Sequence, residues 1–158
     1  MNVTVRLPEN RNNRRVAQEN KRASANRLLV ARILIGIVLF LNLQCALVFI
    51  GMPDSYAQGF GLSGESGNVM VQALGVLFVM WNVPYAVALL HPQKHRLSLL
   101  ESVVMQSIGL AGEASLLIFS PGISAEMNRS ITRFIFFDSL GLVLLLLASW
   151  FARHREMA

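Results

Sequence analysis

LLVARILIGIVLFLNLQCALVFI, residues 28–50, decides the fold class, because its twenty-three residues carry a single charge, Arg32, and no proline. A helix rises about 1.5 Å per residue and a bilayer's hydrocarbon core is about 30 Å thick, so roughly 20 mostly apolar residues make one crossing. Three more stretches meet that requirement: Val69 to Leu90, Leu97 to Phe119 and Ile131 to Phe151. The segments between them are rich in Pro, Gly, Ser, Asp and Asn, as turns require. The sequence therefore predicts an all-α, four-helix transmembrane bundle over residues 28–152, preceded by a tail, 1–27, and followed by a short one, 153–158.

Composition agrees with that reading. A chain of 158 residues accommodates one domain, and 54% hydrophobic residues, 15% charged residues and a mean hydropathy of +0.50 suit a membrane protein. The net charge of +5 would fit a nucleic-acid binder if it were spread over a face. Instead, eight of the fourteen Lys and Arg residues lie in the first 32 positions, with no aromatic residues interleaved for stacking on bases. A juxtamembrane basic tail attracted to anionic headgroups explains them, and no nucleic acid is expected as a partner. The lone cysteine, Cys45, can form no intrachain disulfide and belongs to no CxxC motif; it reads as a small packing residue.

The basic residues also orient the spans. Arg6, Arg11, Arg14, Arg15, Lys21, Arg22, Arg27 and Arg32 precede or open the first span, Lys94 and Arg96 lie between the second and third, and Arg153 and Arg155 follow the fourth. The first loop holds Asp54 and Glu65 but no Lys or Arg, and the third holds Arg129 alone. The positive-inside rule places both termini in the cytoplasm, in a multi-pass protein of the cell membrane. The first span reads as an uncleaved anchor, since its basic lead is far longer than that of a signal peptide. The tail is expected to order only in part, with Arg14 to Ala25 able to prolong the first span as a helix.

Polar residues inside a bilayer are costly and call for a partner or a function. They recur at helical spacing: Asn68, Gln72, Gly75, Asn82 and Ala86 in the second span; Ser102, Gln106, Gly109 and Glu113 in the third; Asp138 and Gly141 in the fourth; Gly36, Asn42 and Ala46 in the first. Helical rise places Glu113, Asp138, Asn42 and Gln72 in one layer of the outer half, and Asn82 and Gln106 at a common deeper level, where they would bond to each other. Two carboxylates in low dielectric cannot easily both ionise, which suits a proton relay or ligand site as well as structural hydrogen bonds. Arg133, at the outer end of the fourth span, either snorkels to headgroups, turns inward to Glu113 or meets an acid on another subunit.

Pro84 removes the bond to the carbonyl of Met80 and kinks the second span, freeing carbonyls for donors such as Asn82 or Gln106. The turn containing His91, Lys94, His95 and Arg96 suits contact with phosphate headgroups; Pro92 and the lack of an acid or thiol argue against a metal there. Ser98 to Glu101 matches a capping box opening the third span. Pro53 to Tyr56 reads as a short helix start, with Tyr56 and Phe60 in the headgroup layer.

The span count, the length and small-polar stripes such as Gly109-Leu110-Ala111-Gly112-Glu113 resemble the small four-helix bacterial membrane proteins grouped as DoxX-like; the resemblance runs loosely from Arg32 to Phe151 and implies no activity. No nucleophile–base pair or metal cluster appears, so no catalytic residue and no cofactor is assigned, though the spans leave room for a bound lipid or quinone. The sequence favours an accessory or scaffolding subunit of a larger membrane assembly, partnered by other membrane subunits or by copies of itself. The alternative is a proton-coupled or small-molecule-, lipid- or quinone-binding protein using the intramembrane carboxylates.

Overall fold

The computed structural model describes residues 11–153, so Arg6, Arg155 and the outermost parts of both tails lie outside the described residues. Every regular element among them is helical: α1 (Arg11–Gly51), α2 (Asp54–Ala57), a 3-10 turn (Gln58–Phe60), α3 (Gly64–Trp81), α4 (Val83–Leu90), α5 (Arg96–Phe119) and α6 (Ala125–Ala152). Four units are long and apolar enough to cross a membrane: α1, α3 with α4, α5 and α6. Each joins the next through a short connection, and α1 packs on α3, α4 and α6 while α5 packs on α4 and α6. The chain is thus a four-helix membrane bundle with a break in its second span.

That break falls at Asn82, where the backbone sits at φ −80° and ψ −4°. Pro84 occupies the first turn of α4, the position where its missing N–H costs least. Asn82 closes the turn before the break twice over, its side-chain Nδ2 donating to the Phe78 carbonyl at 2.7 Å and its backbone amide to the same carbonyl at 3.2 Å. The expected bond between Asn82 and Gln106 does not form, because Gln106 takes other partners.

Two apolar clusters hold the bundle. Near the end bearing both termini, Ala31, Ile35, Val38, Tyr85, Ala88, Leu99, Leu145, Ala148 and Ala152 are buried together. Four of these nine are alanines, the small side chains that let membrane helices approach closely where lipid supplies no hydrophobic drive. At the opposite end Phe49, Ala57 and Val71 are buried, surrounded by Tyr56, Phe60, Phe78 and Phe134. Phe49 is the hub: its ring centroid lies 4.5 Å from Tyr56, 5.5 Å from Phe78, 5.9 Å from Phe60 and 6.2 Å from Phe134. Tyr56 and Phe60 therefore turn inward rather than out toward headgroups, the short α2 folding them over the bundle end. Asn68 Nδ2 secures that fold-over by donating to Asp54 Oδ1 at 2.6 Å.

Helix ends depart from the sequence reading in two places. α5 begins at Arg96, so Ser98 lies inside the helix, where its carbonyl accepts from Ser102 Oγ at 2.9 Å. There is no capping box at Ser98, and Glu101 is exposed. α6 begins six residues before the expected span, capped by Ser124 Oγ, which accepts from the Met127 amide at 3.2 Å. The apolar run Ile131 to Phe151 marks only the part suited to hydrocarbon; capping chemistry starts the helix earlier.

Gly75 shows how closely α3 meets α1. A Cβ there would stand 2.7 Å from Ile50 Cγ1 and 2.9 Å from both the Ala46 carbonyl and Phe49 Cβ. At Gly112, by contrast, a Cβ would meet nothing within 4 Å. Gly75→Ala is expected to destabilise the protein by about 1–3 kcal/mol, the usual cost of overpacking. Gly112→Ala is expected to be neutral or to stabilise by up to about 1 kcal/mol through helix propensity. Thermal unfolding of both variants in mild detergent checks the contrast.

Candidate functional site

Between the two apolar clusters the four spans enclose a cavity of about 540 Å³. Asn42 and Cys45 of α1, Phe78, Trp81 and Asn82 at the α3 end, Tyr85 of α4, Gln106 and Glu113 of α5, and Arg133 and Asp138 of α6 all line it. Of the layer expected from the sequence, Asn42, Glu113, Arg133 and Asp138 share this cavity. Gln72 does not join them: it is exposed, and its Nε2 donates to the Ile50 carbonyl at 3.1 Å near the end of α1. Helical rise alone misplaced it because it fixes depth and leaves rotation open.

A chain of hydrogen bonds across three helices forms one wall of the cavity. Tyr85 Oη donates to Gln106 Oε1 at 2.7 Å, with the Ser102 carbonyl a second acceptor at 3.1 Å. Gln106 Nε2 donates to Asp138 Oδ1 at 2.9 Å. Gln106 and Asp138 therefore belong to one level, not two. Both groups of the amide are used, which fixes its orientation as well as the rotation of α5 against α6.

Two glycines make room for this contact. A Cβ on Gly109 would lie 2.6 Å from Asp138 Oδ2, and one on Gly141 would lie 2.8 Å from Gln106 Nε2. Each polar residue thus faces the glycine that follows its partner by three positions: Gln106 against Gly141, Asp138 against Gly109. The two contacts share one antiparallel register. In sequence the two contacts appear as Q-x-x-G in α5 and D-x-x-G in α6, a match that only the structure turns into a pairing.

Glu113 stands one turn beyond Gly109 on the same face and is half-buried. Its Oε2 is buried without any hydrogen-bond partner, and so is Oδ1 of Asn82, a residue only 6 % exposed. Arg133 does not pair with Glu113. Its guanidinium carbon lies 5.0 Å from the ring centroid of Tyr56 and 5.4 Å from that of Phe134, and among the described residues it makes no ion pair. Cation–π contact with two rings holds it at the outer rim of the cavity.

The turn after α4 carries no comparable site. His91 Nδ1 accepts from the Lys94 amide at 3.3 Å, and His91, Lys94 and Arg96 are exposed. Arg32 caps the same end of α4, its Nε donating to the Leu89 carbonyl at 3.0 Å, and Arg27 lies 5.6 Å from the Trp150 ring. Among the described residues no group of three or more His, Cys, Asp or Glu side chains is placed to hold a metal ion.

Tyr85 and Cys45 are cavity residues that sequence reasoning did not assign to a site, since each reads as ordinary packing in an apolar helix. The signal for Tyr85 was its place one turn past Asn82, on the same face. No protein family, curated protein or solved structure matches the chain.

Because Gln106 serves two partners, its loss leaves Asp138 without its donor and Tyr85 with the Ser102 carbonyl alone. Gln106→Leu is expected to cost about 2–4 kcal/mol and Tyr85→Phe about 1–2 kcal/mol, with the double variant no worse than Gln106→Leu alone. Unfolding in mild detergent, arranged as a double-mutant cycle, measures this; simple additivity would show that the two side chains act independently.

Proposed function

We propose that this membrane protein binds a small amphipathic molecule inside its bundle. The cavity carries the reading. Its volume lies within the roughly 300–1,000 Å³ typical of small-molecule sites, and a few convergent polar groups stand among ring faces, which is the usual make-up of such sites. A purely structural polar layer has its hydrogen bonds satisfied internally, whereas Glu113 and Asn82 each leave a buried oxygen without a donor. The membrane supplies amphipathic molecules of several kinds, and those that carry a hydrogen-bond donor suit these two oxygens.

An accessory or scaffolding role within a larger assembly, or in a homo-oligomer, is the second reading. It draws on the helical extension of α1 ahead of Leu28, where residues 12–26 are exposed and basic side chains recur. The distribution of Lys and Arg supports a cell-membrane orientation with both termini cytoplasmic, and His91, Lys94, His95 and Arg96 are then positioned for anionic headgroups. Green fluorescent protein fused to either terminus in a bacterial host is expected to fluoresce; a dark fusion at one end would reverse that end.

Binding itself is tested with three probes that share one body: 1-naphthylmethylamine, 1-naphthalenemethanol and 1-naphthaleneacetate. Equilibrium dialysis against protein in lipid nanodiscs, with empty discs as blank, is expected to show saturable uptake of at least one probe. Gly112→Trp, which places an indole where a Cβ meets no neighbour, is expected to fold and to abolish that uptake. Uptake of all three that merely follows lipid partitioning, equal in both proteins, would rule out a binding cavity.

A further inference from the structure

Two acids and one arginine line the cavity, and their situations differ. Asp138 receives a hydrogen bond from Gln106. Arg133 lies against the ring faces of Tyr56 and Phe134. Glu113 has no counterpart: no hydrogen bond from any described residue reaches it, and one of its oxygens is buried and unpartnered. A carboxylate held that way in low dielectric is costly until a cation or a proton meets it.

The second unpartnered group sharpens the choice. Asn82 is more than nine-tenths buried, lines the same cavity, and its Nδ2 is already committed to the Phe78 carbonyl. That commitment fixes the amide so that Oδ1 is the group left over, and Oδ1 only accepts. Both unmet needs in the cavity are thus for hydrogen-bond donors, and one of them is for positive charge. The rings of Phe78 and Trp81 line the same cavity, and aromatic faces attract cations as well as apolar bodies.

We propose that the ligand is an apolar molecule carrying a protonated amine, whose N–H groups donate to the Glu113 carboxylate and to Asn82 Oδ1 while its body lies against Phe78 and Trp81. This rests on the cavity being a binding site and specifies the chemistry that it selects. Arg133 sits at the rim, exposed and stacked on two rings, so its charge is already solvated and carries no buried cost for an anion to relieve. Glu113 offers an amine a partner with nothing to displace.

The three naphthalene probes decide between these chemistries, since they differ only in head group. In wild-type nanodiscs the amine is expected to bind roughly tenfold or more tighter than the alcohol, with the acetate weakest. Glu113→Gln is expected to remove that preference, lowering amine affinity roughly tenfold while the alcohol changes little. Should Glu113→Gln fail to fold, as judged by its thermal unfolding, the amine-to-alcohol ratio of the wild type decides alone. Equal binding of amine and alcohol, with both lost in Gly112→Trp, would overturn amine selection and leave the cavity as a binding site. Tightest binding by the acetate would overturn it in favour of recognition by Arg133. If Glu113 carries a proton in the membrane, the glutamine mimics it, and an unchanged amine affinity in Glu113→Gln overturns the proposal as well. Absence of saturable binding by all three probes would instead remove the cavity reading on which this one stands.

Discussion

The hydrogen bond from Gln106 to Asp138 is the contact on which the arrangement of the spans turns. Between lipid-facing helices there is little hydrophobic force to choose one rotation over another, because lipid tails are as apolar as leucine. A directional bond between two buried polar groups makes that choice, and Gly109 and Gly141 let the backbones come close enough for it. Once α5 and α6 are registered there, Glu113 must lie two turns beyond Gln106 on the same face. Tyr85 then extends the bond to α4, which fixes the broken span against the other two.

The two apolar clusters explain why the space left between them is a cavity and not continuous packing. Alanines in the cluster near the termini let α1, α4, α5 and α6 close tightly. At the other end four aromatic rings gather around Phe49, two of them brought over the bundle end by α2 and the turn after it. The cavity lies between these two groups and is lined by residues of both, Val38 and Tyr85 from one, Tyr56, Phe78 and Phe134 from the other. The residues there, Asn82 and Glu113, are those with unmet hydrogen-bonding capacity.

Much of this was legible in the chain itself. Span number and the position of the break followed from apolar length and Pro84, both local features. The third span's stripe, Ser102, Gln106, Gly109 and Glu113, does face inward. Rotation and partner choice were the parts that periodicity could not supply. Gln72 occupies a plausible depth and still lies outside the cavity, and Gln106 bonds to Asp138 in place of Asn82. Arg133 was weighed against headgroups and acids, but its partners are rings, one of them carried in by a loop whose folding depends on tertiary packing. The early start of α6 belongs to Ser124, a cap residue just ahead of the apolar pattern.

The unbroken run of α1 from Arg11 to Gly51 has a consequence in reach. Forty-one helical residues measure about 60 Å, twice the hydrocarbon thickness of a bilayer. In a helix continuing straight from its span, Arg14 lies about 20 Å ahead of Leu28, more than two Debye lengths at physiological salt. Screening divides the arm into two zones. A charged surface at the level of Leu28 would reach Arg27, whereas its field would have largely decayed at Arg14 and Arg15. Two basic segments of one helix thus answer to different surroundings, and a change in ionic strength would alter how far the membrane's charge extends along the arm.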